Sequence, residues 1–484
     1  MGDYPATDPS EPVELVVIGA GPAGTAAAVA ASRAGIDTLI IDEARTAGGQ
    51  VYRALPPEMP VTNAAGLGPD HGVGERLRHE LSASPVRAAF GHRVWHVAPG
   101  GWVRAVGPQG LKSWRAQRMI VATGTVERIM PFPGWTTPGV IGLAAATILV
   151  KAQQVLPGRA VVVAGCGPLV AAVAAAILKG GGQVAAIVDL AGPGEWLAAM
   201  PALASRPDLL ARGIGWLGRI RAAGVPIFFR HTVISAEGTE SVTAALLQPI
   251  DDTGRPRDGR SRRIEADAIV IGHGLVPSTD VTRLLRLDHA YVPERGGWVV
   301  IRDEVCRTSD KRVYVAGDGA GISGALAAEI EGKLSGLTAA FDLGRLDHAT
   351  YEYAVTEARP TLHRARRFGN AMGRMMALRT GLLDVARTDT VVCRCEHVSR
   401  GEIEAALADG ADYMNRLKSW TRCGMGPCQG RMCGDAAATL VARSAGGREA
   451  AGTWTARVPI RPVPYEAFVA DYRYEDLPFF TAGH

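Results

Sequence analysis

Residues 13–42 read VELVVIGAGPAGTAAAVAASRAGIDTLIID, and the fold class follows from this stretch. Val13–Ile18 is a short apolar, β-branched run that predicts a buried strand. Gly19-Ala20-Gly21-Pro22-Ala23-Gly24 predicts a turn, Thr25–Ala34 a helix of small residues, and Thr38–Ile41 the next strand. Together they make a β-α-β unit, and with it a parallel sheet. That context is what gives the glycine pattern its meaning. Gly19 permits the tight turn, Gly21 lets the backbone approach a pyrophosphate, and Gly24 lets the helix pack close to the strand. The helix start at Pro22 and Ala23 offers free N–H groups to phosphate. Asp42 ends the second strand, 18 residues after Gly24, where a carboxylate accepts ribose hydroxyls. The adjacent Glu43 shares that candidacy.

The same grammar recurs further along. Ala160–Ala164 predicts a strand, Leu169–Lys179 a helix, and Val184–Val188 a strand ending at Asp189. The turn between the first two is Gly165-Cys166-Gly167-Pro168-Leu169-Val170. Val170 replaces the third glycine and weakens the case for a pyrophosphate. The occupant of this second turn is left open between NAD, another nucleotide and none. No Arg follows Asp189 among residues 190–195, which argues against a 2′-phosphate. Three further glycine-bearing signals are Gly48-Gly49-Gln50 with Arg53, Ala122-Thr123-Gly124 at a strand end, and Gly317-Asp318-Gly319 opening a helix. Residues 94–116 predict an antiparallel meander, 251–263 a solvated hairpin loop, and 346–390 an Arg-rich helical linker.

Composition narrows the classes. Charged residues make up 21% and hydrophobic ones 47%, a core-forming balance. A net charge of +4 on 484 residues gives no nucleic-acid footprint. There are 59 glycines, where a globular average of roughly 7% predicts about 34. The excess reads as partly a count of cofactor-facing turns. Leu15–Ser32 and Ala160–Leu178 are uncharged and long enough for a membrane scan to pick up. Each is broken by Gly-x-Gly-Pro, so neither is expected to span a membrane. The residues before the first include Asp3, Asp8, Glu11 and Glu14, unlike a basic secretory leader. A cytoplasmic location is expected.

Five of the seven cysteines lie between Cys393 and Cys433. Such clustering reads as a metal or cluster site rather than a disulfide framework. Thiolates at this density suit zinc or iron–sulfur. Cys393-x-Cys395 is too close for the usual zinc pair, and with a distant Cys-x4-Cys it fits a [2Fe–2S] site better. Cys423/Cys428 and Cys428/Cys433 both have a four-residue gap, so spacing leaves the second pair open between them. Gly424, Gly426 and Gly430 are expected to turn the backbone and aim N–H groups at sulfurs. Cys166 and Cys306 read as packing residues, and His273 as a turn residue. No Cys pair lies within Gly48–Arg53, so thiol–disulfide chemistry is disfavoured. No catalytic acid–base or nucleophile set stands out, and catalytic residues stay unassigned.

The order of these motifs resembles the glutathione reductase-like flavoproteins, which carry two dinucleotide-binding domains. The resemblance implies an α/β fold with FAD on the first turn. It places Asp318 at the ribityl–pyrophosphate portion and Gly49-Gln50 near the flavin. Cys428-Gln-Gly-x-x-Cys433 resembles the second pair of the bacterioferritin-associated ferredoxin-like domain, a small α [2Fe–2S] unit, and that resemblance implies Cys393, Cys395, Cys428 and Cys433 as ligands with Cys423 as the spare. Gly48–Arg53, Glu127–Trp135 and Thr421–Gly430 together resemble the alpha (A) subunits of opine oxidases, the B subunit of hydrogen cyanide synthase and alpha subunits of hydroxyproline or proline dehydrogenases. The implied domains are 13–156 and 286–345 for FAD, 157–285 for the second nucleotide fold, 346–390 as linker, 391–450 for the cluster and 451–484 as a packed tail. The implied function is electron transfer within a heteromeric amine or opine dehydrogenase. The implied partners are a small ferredoxin-like [2Fe–2S] protein and a smaller FAD subunit of the D-amino-acid oxidase type. An NAD(P)H-dependent flavin reductase with an external acceptor is the alternative.

Overall fold

The computed structural model describes residues 10–56, 69–259 and 261–465. The expectations for residues 1–9 and for the end of the tail, 466–484, lie outside them. The strand predicted at Val13–Ile18 runs from Glu11 to Ile18 and sits at the centre of a seven-stranded sheet. Thr38–Asp42 and Gly110–Val121 flank it in parallel, with Val17 opposite Ile40 on one side and Ile120 on the other. The lower half of Gly110–Val121 carries the meander, pairing antiparallel with Trp102–Gly107. Its upper end pairs in parallel with Val313–Val315. That long return brings Gly317 and Asp318 beside the first glycine turn.

The helix Pro22–Arg33 covers this sheet and packs on Ala325–Asp342. The seam is built from small residues. A Cβ on Gly332 would lie 2.0 Å from the Ala23 carbonyl oxygen, and one on Gly336 2.3 Å from that of Ala27. Helices approach this closely only where side chains are missing.

A second, five-stranded parallel sheet is ordered Ile227–Phe229, Gln183–Asp189, Ala160–Gly165, Ala268–Gly272, Val140–Gly142. Its last strand comes from residues that the 157 boundary puts in the first FAD segment. Three residues are too short to show a period, so the sequence hides this strand. Thr125–Glu127 and Leu275–Pro277 pair antiparallel and join the two halves. Residues 251–259 form the hairpin loop expected between Ala244–Pro249 and Arg262–Glu265.

The linker is a helix, His348–Met375, followed by a 3-10 turn at Thr380–Val385. The C-terminal unit holds a small hairpin, Val391–Cys393 with Val398–Ser399, and helices Arg400–Ala408, Met414–Thr421 and Gly434–Ala445. A Ser399/Glu402 capping box starts the first of these helices. The tail packs as far as Ile460, whose N–H bonds the Trp95 carbonyl at 2.9 Å. No described helix is long and apolar enough to cross a membrane.

Candidate functional site

Four glycine turns, far apart in sequence, converge at the carboxyl ends of the first sheet. Gly49 stands against the first turn, where a Cβ on it would lie 2.8 Å from the Cα of Gly21. A Cβ on Gly317 would lie 2.8 Å from that of Ala23, and one on Gly319 3.3 Å from the N of Gly124. Gly19 has φ +102° and abuts the Ala122 carbonyl, a place no larger residue fits. The N–H groups opening helix Pro22–Arg33 meet no side-chain cap at Gly21. Backbone cleared of side chains, uncapped donors at a helix start and flanking carboxylates fit a dinucleotide such as FAD.

The carboxylates are placed by backbone. Asp42 takes the Ala20 N–H at 2.5 Å and the Ala44 N–H at 2.7 Å. Its burial raises its pKa against those two bonds. Glu43 is exposed and faces Arg93 at 3.4 Å, away from the turn. Asp318 accepts from Ser323 and Gly324 N–H at 2.8 and 3.0 Å through one oxygen, and burial raises it too. Gln50 and Arg53 bond each other at the rim. Sequence reasoning missed Glu331, which is 1% exposed. It accepts from Gly317 N–H at 3.0 Å and pairs with Arg302 and Arg366 at 2.7 Å each. A Glu inside an Ala- and Leu-rich helix gives no local sign that it faces inward.

The second turn is built differently. Gly165 has φ +143° and abuts the Gly272 carbonyl, as a dinucleotide fold requires. At Gly167, however, the Met376 side chain lies 2.7 Å from where a Cβ would be. Asp189 accepts the Trp196 indole N–H and the Ala191 N–H, both at 2.9 Å. Its burial pushes it up to about 6. Cys166 and Leu190 are buried in one core with Leu382, Leu383 and Val392. The chain's own linker therefore packs over this turn. His273 is buried, accepts the Met130 N–H at 3.0 Å, and is pushed down to about 3 by burial, so it is a neutral turn residue. Cys166 and Cys306 are buried thiols, pushed up by burial to about 12 and about 11.

The five clustered cysteines come together. The sulfurs of Cys393, Cys423 and Cys433 lie within 4.8 Å of one another and are buried. Cys395 is exposed and in contact with the half-buried Cys428. Cys423, the spare that the resemblance implies, thus lies inside the buried trio. Five soft thiol donors in one small unit fit an iron–sulfur cluster. Gly426 admits Cys395, whose Cβ lies 2.2 Å from where its own would be. Gly424 and Gly430 do something the sequence did not show. Cβ atoms there would lie 2.7 and 2.0 Å from the Trp454 ring. They make room for an aromatic plug from the tail, whose indole N–H bonds the Met414 carbonyl at 3.1 Å.

Known proteins agree with this geometry. A family model described as pyridine nucleotide-disulphide oxidoreductase matches residues 13–344. One described as BFD-like [2Fe-2S] binding domain matches residues 391–443. The A subunit of the opine oxidase of Agrobacterium tumefaciens is 34% identical over 476 residues, covering 95% of this chain and 92% of that one. The hydrogen cyanide synthase subunit HcnB of Pseudomonas aeruginosa is 32% identical over 466 residues, covering 94% and 97%. The L-proline dehydrogenase from P. horikoshii shares the fold at a TM-score of 0.69 and 20% identity, over 96% of this chain and 81% of that one. The chain is a flavin oxidoreductase with a C-terminal [2Fe–2S] domain, and it belongs to the pyridine nucleotide-disulphide oxidoreductase family, in the group of hydrogen cyanide synthase subunit HcnB and the A subunits of opine oxidases.

Proposed function

We propose that this chain is the electron-transfer subunit of a heteromeric amine- or opine-oxidising enzyme. A smaller D-amino-acid oxidase-like flavoprotein would oxidise the CH–NH substrate, which could be an opine, an imino acid or glycine. The observation that carries the reading is the union on one chain of the converging glycine turns and the five-cysteine unit. Bound FAD takes up electrons in pairs and a [2Fe–2S] cluster passes them singly, which is the chemistry such a relay needs.

The chain's residues supply position and electrostatics. Gly19, Gly21, Pro22, Ala23 and Gly24 would hold the pyrophosphate, and Asp42 the adenosine ribose. Gly49, Gln50, Arg53, Ala122, Thr123, Gly124, Gly317 and Asp318 would line the flavin and ribityl portion. Cys393, Cys395, Cys428 and Cys433 would hold the cluster, with Cys423 as a fifth, buried sulfur. Arg128 and Asp435, 2.5 Å apart, join the flavin body to the helix that follows Cys433.

The test is anaerobic titration with opines, hydroxyproline and glycine, on the chain alone and co-purified with its flavoprotein partner. Only the complex is expected to bleach the flavin. Turnover of any of these substrates by the isolated chain would sink the reading.

A further inference from the structure

The five clustered cysteines have an inner and an outer side. Cys393, Cys423 and Cys433 are at most 1% exposed and share one core with Met130 and Cys166 of the nucleotide-binding body. Cys395 is exposed and touches the half-buried Cys428. The buried side faces the chain's own body, so the outer side is the one that a second protein can approach.

That side carries exposed apolar groups. Gly426 lies against Cys395, and its chain neighbours Met425 and Pro427 both face solvent. Met425 is 40% exposed. Trp420, in the last turn of the helix Met414–Thr421 that leads into this loop, is 51% exposed. A single exposed apolar side chain needs no explanation, but several on one loop beside an exposed sulfur mark a contact surface.

The charge around it is positive. The two segments that carry the cysteines, residues 393–397 and 418–431, hold Arg394, Lys418, Arg422 and Arg431 against one acid, Glu396. Glu396 is neutralised by Arg422 at 2.8 Å, and Arg431 is held by Asp280 at 2.7 Å. Arg394 is exposed and stands over the Trp135 ring, 5.9 Å from its centre. Neither Arg394 nor Lys418 has a carboxylate partner among the described residues. Apolar groups at the point of contact with cations around them draw in a negatively charged partner and leave the close approach to uncharged groups.

We infer that this surface docks an acidic one-electron carrier protein, with Met425 and Trp420 as apolar contacts and Arg394 as the steering cation. The inference rests on the relay reading above and adds to it the side by which electrons leave. At each encounter this chain is oxidised by one electron and the carrier reduced by one, with no bond formed or broken. Two encounters discharge the pair taken from one substrate molecule. The patch is small, so the complex is weak and short-lived, as suits a carrier that must depart.

The experiment measures binding of the cofactor-loaded full chain to two carriers at rising salt, by surface plasmon resonance. One is a plant-type [2Fe–2S] ferredoxin, which is acidic; the other is mitochondrial cytochrome c, which is basic. The ferredoxin is expected to bind with micromolar affinity that falls with salt, and cytochrome c not to bind. Arg394→Glu should weaken the ferredoxin roughly tenfold and flatten the salt dependence. Met425→Ala should weaken it roughly threefold. Arg219→Glu makes the same charge change on the exposed face of helix Pro207–Ala222, outside the cysteine unit, and should leave binding as it is. Unchanged visible spectra of flavin and cluster show that each variant is folded. No ferredoxin binding, equal binding of both carriers, or binding indifferent to Arg394→Glu and Met425→Ala overturns the proposal. So does loss of the flavoprotein partner from the Arg394→Glu complex, which would give this face to the permanent subunit. Any of these results leaves the relay reading standing where the complex still bleaches its flavin with substrate.

Discussion

Glu331 shows how a single buried charge shapes the candidate flavin site. It holds the Gly317 N–H with one oxygen while Arg302 and Arg366 neutralise it. Burial opposes its ionisation, but the two guanidinium groups win and its pKa lies below the ordinary 4.5. Arg302 is buried with it, whereas Arg366 is 32% exposed and its share is screened. Glu331→Gln would strand the Arg302 charge, at a cost of about 3 kcal/mol. Thermal melts at pH 7 should show a clear loss, and gel filtration should show more free FAD. The sign with pH follows from a lowered acid pKa. The contribution is complete above the ordinary value and fades as pH falls through the lowered one. Wild type should therefore begin to lose its advantage over the variant on acidification below about 4.5; a gap as wide at pH 3 as at pH 7 would contradict this. Asp42 and Asp318 were legible because Asp42 ends the strand after a glycine turn and Asp318 sits within one. Glu331 was not, because its partners lie 29 and 35 residues away.

At the scale of elements, both β-α-β units were legible and their fates were not. Hydrophobic runs, glycine turns and small-residue helices are local signals. Val170 in place of a glycine hinted that the second turn was altered. What fills it, Met376, comes some 200 residues later on the end of the linker helix, and no local pattern announces that contact. The glycine excess divides in the same way. Gly19 and Gly49 shape the converging turns proposed for FAD, but Gly332 and Gly336 serve a helix seam. Gly369 and Gly373 let the linker helix touch backbone, with Cβ positions 2.5 Å from Ser323 O and 1.9 Å from Glu294 O. With Met376 against Gly167 and Asp189 engaged by Trp196, the second turn offers neither open backbone nor a free acid to NADH. Anaerobic mixing of the chain with NADH or NADPH is expected to leave the flavin oxidised, followed at its visible absorbance. Bleaching within seconds would show that the turn opens, and would revive the flavin-reductase alternative.

At the scale of the molecule, the cysteine unit is not an appended bead. The five-cysteine spacing shows in the sequence that the unit exists, but not how it is attached, because attachment rests on contacts between distant segments. Its buried residues Cys393, Leu417, Cys433 and Leu440 form one core with Met130, Cys166, Leu190 and Ile250 of the nucleotide-binding body. The Trp135 indole N–H bonds the Val391 carbonyl at 2.6 Å, and Asp435 is clamped between Arg128 and Arg448. The Arg128 side chain is 2% exposed, so loss of Asp435 would leave its charge buried and unpaired. A unit that shares its core with its neighbour cannot unfold alone without exposing apolar surface on both. The cofactor-loaded chain should melt in one calorimetric transition, with flavin release and cluster bleaching at the same temperature. A fragment of residues 386–465 should fail to keep its cluster, because six of the 22 buried residues of its core, Met130, Cys166, Leu190, Ile250, Leu382 and Leu383, stay behind. Asp435→Asn should begin to separate the two events, the cluster signal going first. A fragment that folds with a stable cluster, or a wild-type melt with two resolved transitions, would show that the two bodies are joined only by their linker.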